Sequence, residues 1–293
     1  MNDKSPAALD ILCIAGPTAS GKTARAVAEA LARGGEVISV DSRQVYRRLD
    51  IGTEKVAATE MRGVPHHLID IREPSDAYSA GDFVEDASRL IAEISAHGKL
   101  PILAGGTHFY FDALLNGLPP ETNPNPRLRT ELDLLSNEDL FARIAASDPR
   151  RASELDPHNR RRLIRALEII DAHGSVPSRN TNTARYRIEW ILIDPPMLQL
   201  RERIDARLAQ ALAHGLRAEA AWVRDTLGDA RLNELGLEYR VVGEYLRGER
   251  AEASLLPALS AKLWQYARRQ KAWLRKLRDD AITAATPPRR DRN

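Results

Sequence analysis

The sequence predicts an α/β fold: a parallel, helix-covered sheet built from two stretches of chain, with a small helical domain inserted between them. Three observations predict it. Short apolar runs alternate with helical stretches through the first third of the chain. A glycine-rich phosphate loop joins the first apolar run to the first helix. A Pro- and Asn-rich stretch after Gly117 then breaks the alternation, which returns as a strand only at Arg187.

The first apolar run, DILCIAG, reads as a buried strand and contains Cys13, the chain's single cysteine, as a small core residue. It leads into GPTASGKT, where Gly16, Gly21, Lys22 and Thr23 stand at Walker A spacing. In such a loop, backbone amides and the N-terminus of the following helix cradle phosphate oxygens. Gly16, Pro17, Thr18, Ala19, Ser20 and Gly21 are therefore candidate phosphate-binding residues. Lys22 is a candidate point charge for the terminal phosphate, and Thr23 a candidate hydroxyl ligand for Mg2+ bridging the phosphate oxygens. The core is thus P-loop NTPase-like, although the loop alone leaves open whether its phosphate belongs to a nucleotide.

After the loop, TARAVAEALARGG has helical composition and ends in the C-cap signal Gly34–Gly35. EVISVDS is a strand ending at Asp41, HHLIDI (residues 66–71) another strand, and SAGDFVEDASRLIAEISAHG a helix closing on Gly98. PILAGGT is a further strand, with Thr107 just past its end. In parallel sheets of this kind ligands gather beyond the carboxyl ends of the strands. LPPETNPNP (residues 118–126) can be neither helix nor central strand. Helical periodicity follows, ending in SVPSRNTNTAR, which reads as a mobile loop, before RIEWILID (residues 187–194) resumes the sheet. The rest is helical, with Leu200, Ile204, Leu208 and Leu212 on one face, and the polar, basic tail from Pro287 is expected to be disordered. The predicted domains are a core of residues 1–118 and 187–293, and an inserted helical domain of residues 119–186.

Composition excludes several classes. No apolar stretch approaches membrane-spanning length, and MNDKSPAALD lacks the features of a secretory leader, so a cytoplasmic protein with no membrane partner is expected. Net charge is only +2, but its distribution is uneven. Residues 262–278 hold seven Lys or Arg and no acid, and residues 150–165 hold six Arg against two acids. Solvated faces usually mix signs, so these segments point to an extended anionic partner. His66 and His67 have no Cys or acid at metal-ligand spacing and are expected to be structural; Trp264, Tyr266 and Trp273 are expected to pack in the core.

A kinase or ATPase of this fold would place an acidic metal ligand at the end of an apolar strand. PILAGGT ends in Gly105 and Gly106 instead, leaving Asp41, which could equally cap a following helix.

At this point the blocks GPTASGKT, ISVDSRQVYRRLDIGT, PHHLIDI, AYSAGDF, GGTHFYFDALLNGL, RRLIRALEI, RERIDAR and YARRQKAWLRK stand in the order seen in tRNA dimethylallyltransferases, and the chain resembles that family up to about Lys276. The resemblance implies transfer of a dimethylallyl group from dimethylallyl pyrophosphate to the exocyclic amine of the adenosine 3′ of the anticodon. The phosphate loop would then hold the pyrophosphate of an isoprenoid. By the same resemblance Asp41, Thr107 and Arg207 are catalytic, and Arg203, one turn before Arg207, joins the pyrophosphate site. Asp41, Ser42, Arg43, Gln44, Thr107, Arg129, Arg161, Arg162, Leu163, Ile164 and Arg165 would contact the tRNA anticodon stem-loop. The chain departs from the IGYKE pattern of many members at LGLEYRVVGEYLRGE (residues 235–249). A monomer is expected. The rival classes are a P-loop kinase of a nucleoside or small metabolite, and a tRNA-binding protein without catalysis.

Overall fold

The computed structural model describes residues 8–118, 125–177 and 185–285. The leading seven residues, most of the Pro/Asn-rich crossing, most of the SVPSRNTNTAR stretch and the tail expected to be disordered lie outside them. Two compact units emerge, one of Met1–Leu115 with Thr183–Asn293, the other of Asn116–Asn182.

In the first unit the strands are β1 (Leu9–Ala15), β2 (Gly35–Val40), β3 (His66–His67), β4 (Leu100–Gly105) and β5 (Tyr186–Leu192). They form one parallel sheet in the order β3-β2-β4-β1-β5. Helix α1 (Lys22–Arg33) leaves β1 and ends at Gly34, whose φ of 65° supplies the left-handed C-cap. A short α2 (Ala58–Met61) follows β2. Helix α3 (Ala80–Ala96) starts from Ser79, whose side chain accepts from the Asp82 amide in a capping box. Helix α4 (His108–Asn116) follows β4 directly. Every residue of β2 is buried, as a strand covered on both faces requires. Its one acid, Glu36, is neutralised by Lys99 at 2.6 Å and His67 at 2.7 Å, and the Lys99 bond holds its carboxyl below the usual range. His67 and His66, which bonds the Val64 carbonyl at 2.8 Å, thus serve structure.

HHLIDI was expected to be a six-residue strand, but only its first two residues pair with β2. Leu68 and Asp70 adopt φ of 62° and 56°, which turns the chain off the sheet edge. It runs instead beside the segment after Asp41, where the Asp70 and Ile71 amides donate to the Gln44 and Val45 carbonyls.

Helices α9 (Met197–Ala213), α10 (Leu216–Glu234), α11 (Leu237–Leu246) and α12 (Leu255–Ala285) complete the unit. They share a core in which Leu200, Ile204 and Leu208 are fully buried. Trp273 of α12 packs with Phe111 and Trp190 under the sheet, and Trp264 lies partly buried beneath Arg201. Tyr266 departs from the core role expected of it: it is 40% exposed.

The second unit contains α5 (Pro126–Asp133), α6 (Asn137–Ser147), α7 (Pro149–Ser153) and α8 (Arg160–His173). Each begins at a side-chain cap, from Asn125, Ser136, Asp148 and Asn159 respectively. Leu132, Leu140, Ile144, Leu163 and Ile169 form its core. The Arg160 guanidinium donates to the carbonyls of Leu132, Asp133 and Leu135 and closes the end of α5. Leu163 and Ile164, expected to touch tRNA, are buried here because they lie on the inner face of α8; Arg161, Arg162 and Arg165 point outward.

The block at residues 161–165 therefore divides by face. Leu163→Ala leaves a core cavity and is expected to cost about 2–5 kcal/mol, whereas Arg161→Ala and Arg162→Ala should each stay within about 0.5 kcal/mol. Urea unfolding of the three variants measures the difference.

Candidate active site

The carboxyl ends of β1, β4 and β2 lie side by side, and each contributes one chemical group to a cleft of about 290 Å³. From β1 comes the phosphate loop. Its path needs small residues: a Cβ at Gly16 would lie 2.6 Å from Ser20 Oγ and 2.7 Å from the Ile193 carbonyl. Gly21, at φ 89°, precedes α1 in the left-handed region, and Ala19 also has positive φ. Lys22 Nζ donates to the Pro17 carbonyl at 2.6 Å. Burial pushes its pKa down to about 8, with Asp41 opposing and Arg207 reinforcing that shift. Lys22 and Thr23 both line the cleft.

At the end of β4 the chain passes very close to β2. A Cβ on Gly105 would lie 2.1 Å from the Val40 carbonyl oxygen. The two glycines of PILAGGT thus allow an approach that a side chain would block, and Thr107 lands beside the residues after β2. The Thr107 amide donates to the Val40 carbonyl at 3.2 Å, and its Oγ1 accepts from the Ser42 amide at 3.2 Å.

At the end of β2, Asp41 Oδ1 accepts from the Arg43 amide at 2.8 Å and the Gln44 amide at 3.3 Å. Asp41 thus caps a turn, and no helix follows it directly. Among the described residues its second oxygen has no hydrogen-bond partner, and the residue lines the cleft. Gln44 also lines it, but its amide is occupied: Oε1 accepts from Ser39 Oγ, and Nε2 donates to the Thr53 and Glu54 carbonyls.

Arg207 comes from α9. Its Nη1 donates to Thr18 Oγ1 at 2.6 Å and pairs with Glu54, while Nη2 lies 3.4 Å from Glu238 Oε1. Burial lowers its pKa to about 10, and the Glu238 charge partly restores it. Burial raises the Glu238 carboxyl, opposed by Arg207. Neither arginine lines the cleft: Arg207 bonds the lining residues Thr18, Glu54 and Glu238 from behind, and Arg203 is exposed. Arg129, in the second unit, forms an ion pair with Glu168 at 3.3 Å, and Arg165 bonds the same carboxylate at 3.2 Å.

Among the lining residues to which sequence reasoning gave no site role are Glu54, Glu238, Tyr266 and Gln270. Glu238 belongs to the departing LGLEYR block. Tyr266 and Gln270 stand one turn apart on α12, a spacing that shares a face but does not reveal what that face meets.

The cleft offers hard oxygen donors, the Thr23 hydroxyl and the Asp41 carboxylate, but no group of three His, Cys, Asp or Glu is found among the described residues. Such a site suits Mg2+, which keeps waters and takes ligands from phosphate, better than a metal that needs a protein cage.

A family model described as IPP transferase matches residues 44–277. The chain belongs to the IPP transferase family. It is 42% identical over 287 residues to a tRNA dimethylallyltransferase of Anaeromyxobacter sp. (strain Fw109-5), covering 95% of each chain. Among solved structures, a tRNA isopentenylpyrophosphate transferase from Bacillus halodurans matches with TM-score 0.69 and 37% identity, over 91% of this chain and 86% of that one. A eukaryotic dimethylallyltransferase acting on tRNA matches with TM-score 0.78 and 25% identity, over 91% and 70%. Membership in the IPP transferase family does not favour the rival reading as a small-metabolite kinase. Among the described residues no helix is long and apolar enough to cross a membrane.

The depressed pKa makes Lys22 testable without substrate. Its amine is protonated below pH about 8 and neutral above, whereas an exposed lysine stays protonated to near the ordinary lysine value of 10.5. In the unfolded chain Lys22 keeps its proton to that higher value, so folding is penalised below pH about 8 and this penalty disappears as pH rises from about 8 to 10.5. Competitive acylation read by peptide mass should show half-maximal Lys22 reactivity near pH 8.

Proposed function

We propose that this chain transfers the dimethylallyl group of dimethylallyl pyrophosphate to the exocyclic amine of the adenosine 3′ of the anticodon in tRNA. Family membership supports the transferase class, and one observation in the chain supports the reaction best. Asp41, Thr107 and Lys22 stand at the ends of three adjacent strands or in the loop that follows, with Thr107 tied to the residue after Asp41. A proton acceptor and an anion site thus share one cleft.

An adenine amine is a weak nucleophile because its lone pair is delocalised into the ring. As the amine nitrogen bonds to the first carbon of the dimethylallyl group, that carbon's bond to pyrophosphate oxygen breaks and the leaving group keeps the electron pair. The nitrogen turns cationic and its proton goes to the uncommitted oxygen of Asp41. Lys22 and the loop amides face the charge growing on the pyrophosphate. Arg207, already on Thr18 Oγ1, stands at the outer side of the loop, where it can share in that charge. Mg2+ bound through Thr23 would neutralise phosphate oxygens on the leaving group. The target base must leave its stack to enter the cleft. Arg161, Arg162 and Arg165 would hold the stem by its phosphates, contacts that position the RNA without reading its sequence.

Incubation with unmodified tRNA, dimethylallyl pyrophosphate and Mg2+ should yield a nucleoside heavier by one five-carbon prenyl group, with no requirement for ATP. A product carrying phosphate, or one made only with ATP, would overturn the reading. Asp41→Asn keeps the turn cap but cannot accept the proton, so the single-turnover rate should fall about 100- to 10,000-fold while donor affinity hardly changes. A near-normal rate removes Asp41 from the chemistry.

Replacing Arg161, Arg162 and Arg165 with Gln should weaken tRNA binding and flatten its dependence on salt, because fewer counterions are released. Turnover at saturating tRNA should persist. Filter binding from 50 to 200 mM salt reads the slope.

A further inference from the structure

Gln270 is 3% exposed in the middle of α12, a helix whose neighbouring outward positions are basic. Both ends of its amide are engaged. Oε1 accepts from the Thr18 backbone amide at 2.9 Å, and Nε2 donates to the Gly106 carbonyl at 2.9 Å. One buried side chain therefore bridges the phosphate loop after β1 to the turn after β4, from a helix 252 residues away from Thr18 in sequence. The fit is tight on the β4 side, where a Cβ on Gly106 would lie 2.7 Å from Gln270 Nε2.

We infer that Gln270 is a positioning residue for the transfer, setting the distance between the pyrophosphate held by the loop and the acceptor side of the cleft at Thr107 and Asp41. The inference rests on the proposed reaction and adds a residue to it. The physical argument is one of spacing. The loop and the β4 turn carry opposite partners of the reaction; their strands pair as far as Ala15 opposite Gly105, and beyond that pairing the Gln270 side chain joins Thr18 to Gly106. Near Gly106 the approach is regulated by a planar amide that donates at one end and accepts at the other. Gln270 does not touch the reacting atoms. Misplacing reacting groups by about 1 Å can cost on the order of 100-fold in rate, so a lost bridge should appear in the chemical step. The Thr18 amide is already committed to Gln270 and is not offered to phosphate, so donor affinity should change little.

Three variants of the full chain test this. Gln270→Met keeps the length and apolar stem but neither hydrogen bond. Gly106→Ala pushes on Nε2 from the other side without altering α12. The third combines them. Single-turnover transfer at saturating dimethylallyl pyrophosphate and tRNA should fall on the order of 100-fold in Gln270→Met, with the dissociation constant for dimethylallyl pyrophosphate within about threefold. Because both changes break one bridge, the double variant should be no slower than the slower single variant. Rescue is expected from Gln270→Glu only at low pH, where a protonated carboxyl can donate to Gly106 while still accepting from Thr18. A readout independent of the reaction is amide exchange by mass spectrometry: peptides covering Thr18 and Gly106 should exchange at least tenfold faster in Gln270→Met, with β1 and β4 themselves unchanged. A Gln270→Met rate within threefold of wild type, additive rate losses, or unchanged exchange at Thr18 overturns the inference. A wild-type chain that transfers no prenyl group counts against the proposed reaction, while the exchange measurement still decides whether Gln270 holds the loop.

Discussion

The close passage of β4 beside β2 is the constraint on which the site depends. The backbone of Gly105 approaches the Val40 carbonyl so nearly that no side chain fits between them. Because β4 is also hydrogen-bonded to β1, that approach draws the ends of three strands together. The phosphate loop, Thr107 and Asp41 are neighbours for this reason, although they are far apart in the chain. A wider spacing would leave the anion site and the acceptor in separate crevices. Gln270 then reaches across the top of β4 and ties the loop to the turn.

Charge in the cleft is nearly balanced before any ligand arrives. Lys22 and Arg43 line the cleft with Asp41, Glu54 and Glu238, and Arg207, without itself lining it, pairs with Glu54 and Glu238. Burial works against both signs, lowering Lys22 and Arg207 and raising Glu238, while Asp41 supports the Lys22 charge and Glu238 supports that of Arg207. His108, stacked on Trp273 at 4.0 Å, is pushed down to about 4 by burial and by the Lys22 charge, so it stays neutral at physiological pH. Any anion entering here would meet cations already desolvated, where electrostatic interactions are stronger than in water. It would also compete with Glu54 and Glu238 for Arg207.

The helical unit is built on different physics. Among the described residues it has no strand, and its four short helices are each started by a side-chain cap. Arg160 shows how it spends one of its many arginines on structure, by satisfying the carbonyls at the end of α5. Arg161, Arg162 and Arg165 remain on the surface, with Arg165 steadied by Glu168. Basic composition alone does not separate these two uses; position on the helix does.

The sequence by itself determined whatever is local. Gly16 to Thr23 announced the loop, the caps at Ser79 and Gly34 bounded α3 and α1, and the 3.6-residue spacing of Leu200, Ile204 and Leu208 marked the buried face of α9. The places of Asp41 and Thr107 just past two strands were legible because an apolar run marks each strand and where it ends. Local reasoning failed where a distant partner decides. HHLIDI has a strand's composition, yet Leu68 and Asp70 turn left-handed and the chain pairs with the segment after Asp41 instead. Leu163 and Ile164 sit inside a basic motif but face inward, Tyr266 sits among core-like aromatics but faces the cleft, and Arg203 shares a helix face with Arg207 without reaching the site. Gln270 lies within the YARRQKAWLRK block and Glu238 within the departing LGLEYR block, yet neither block, nor the sequence around Glu54, assigns these residues a place in the cleft. Their roles come from what α9, α11 and α12 bring against the loop, and only the tertiary structure sets those contacts, because packing between elements remote in sequence leaves no periodic trace in any one of them.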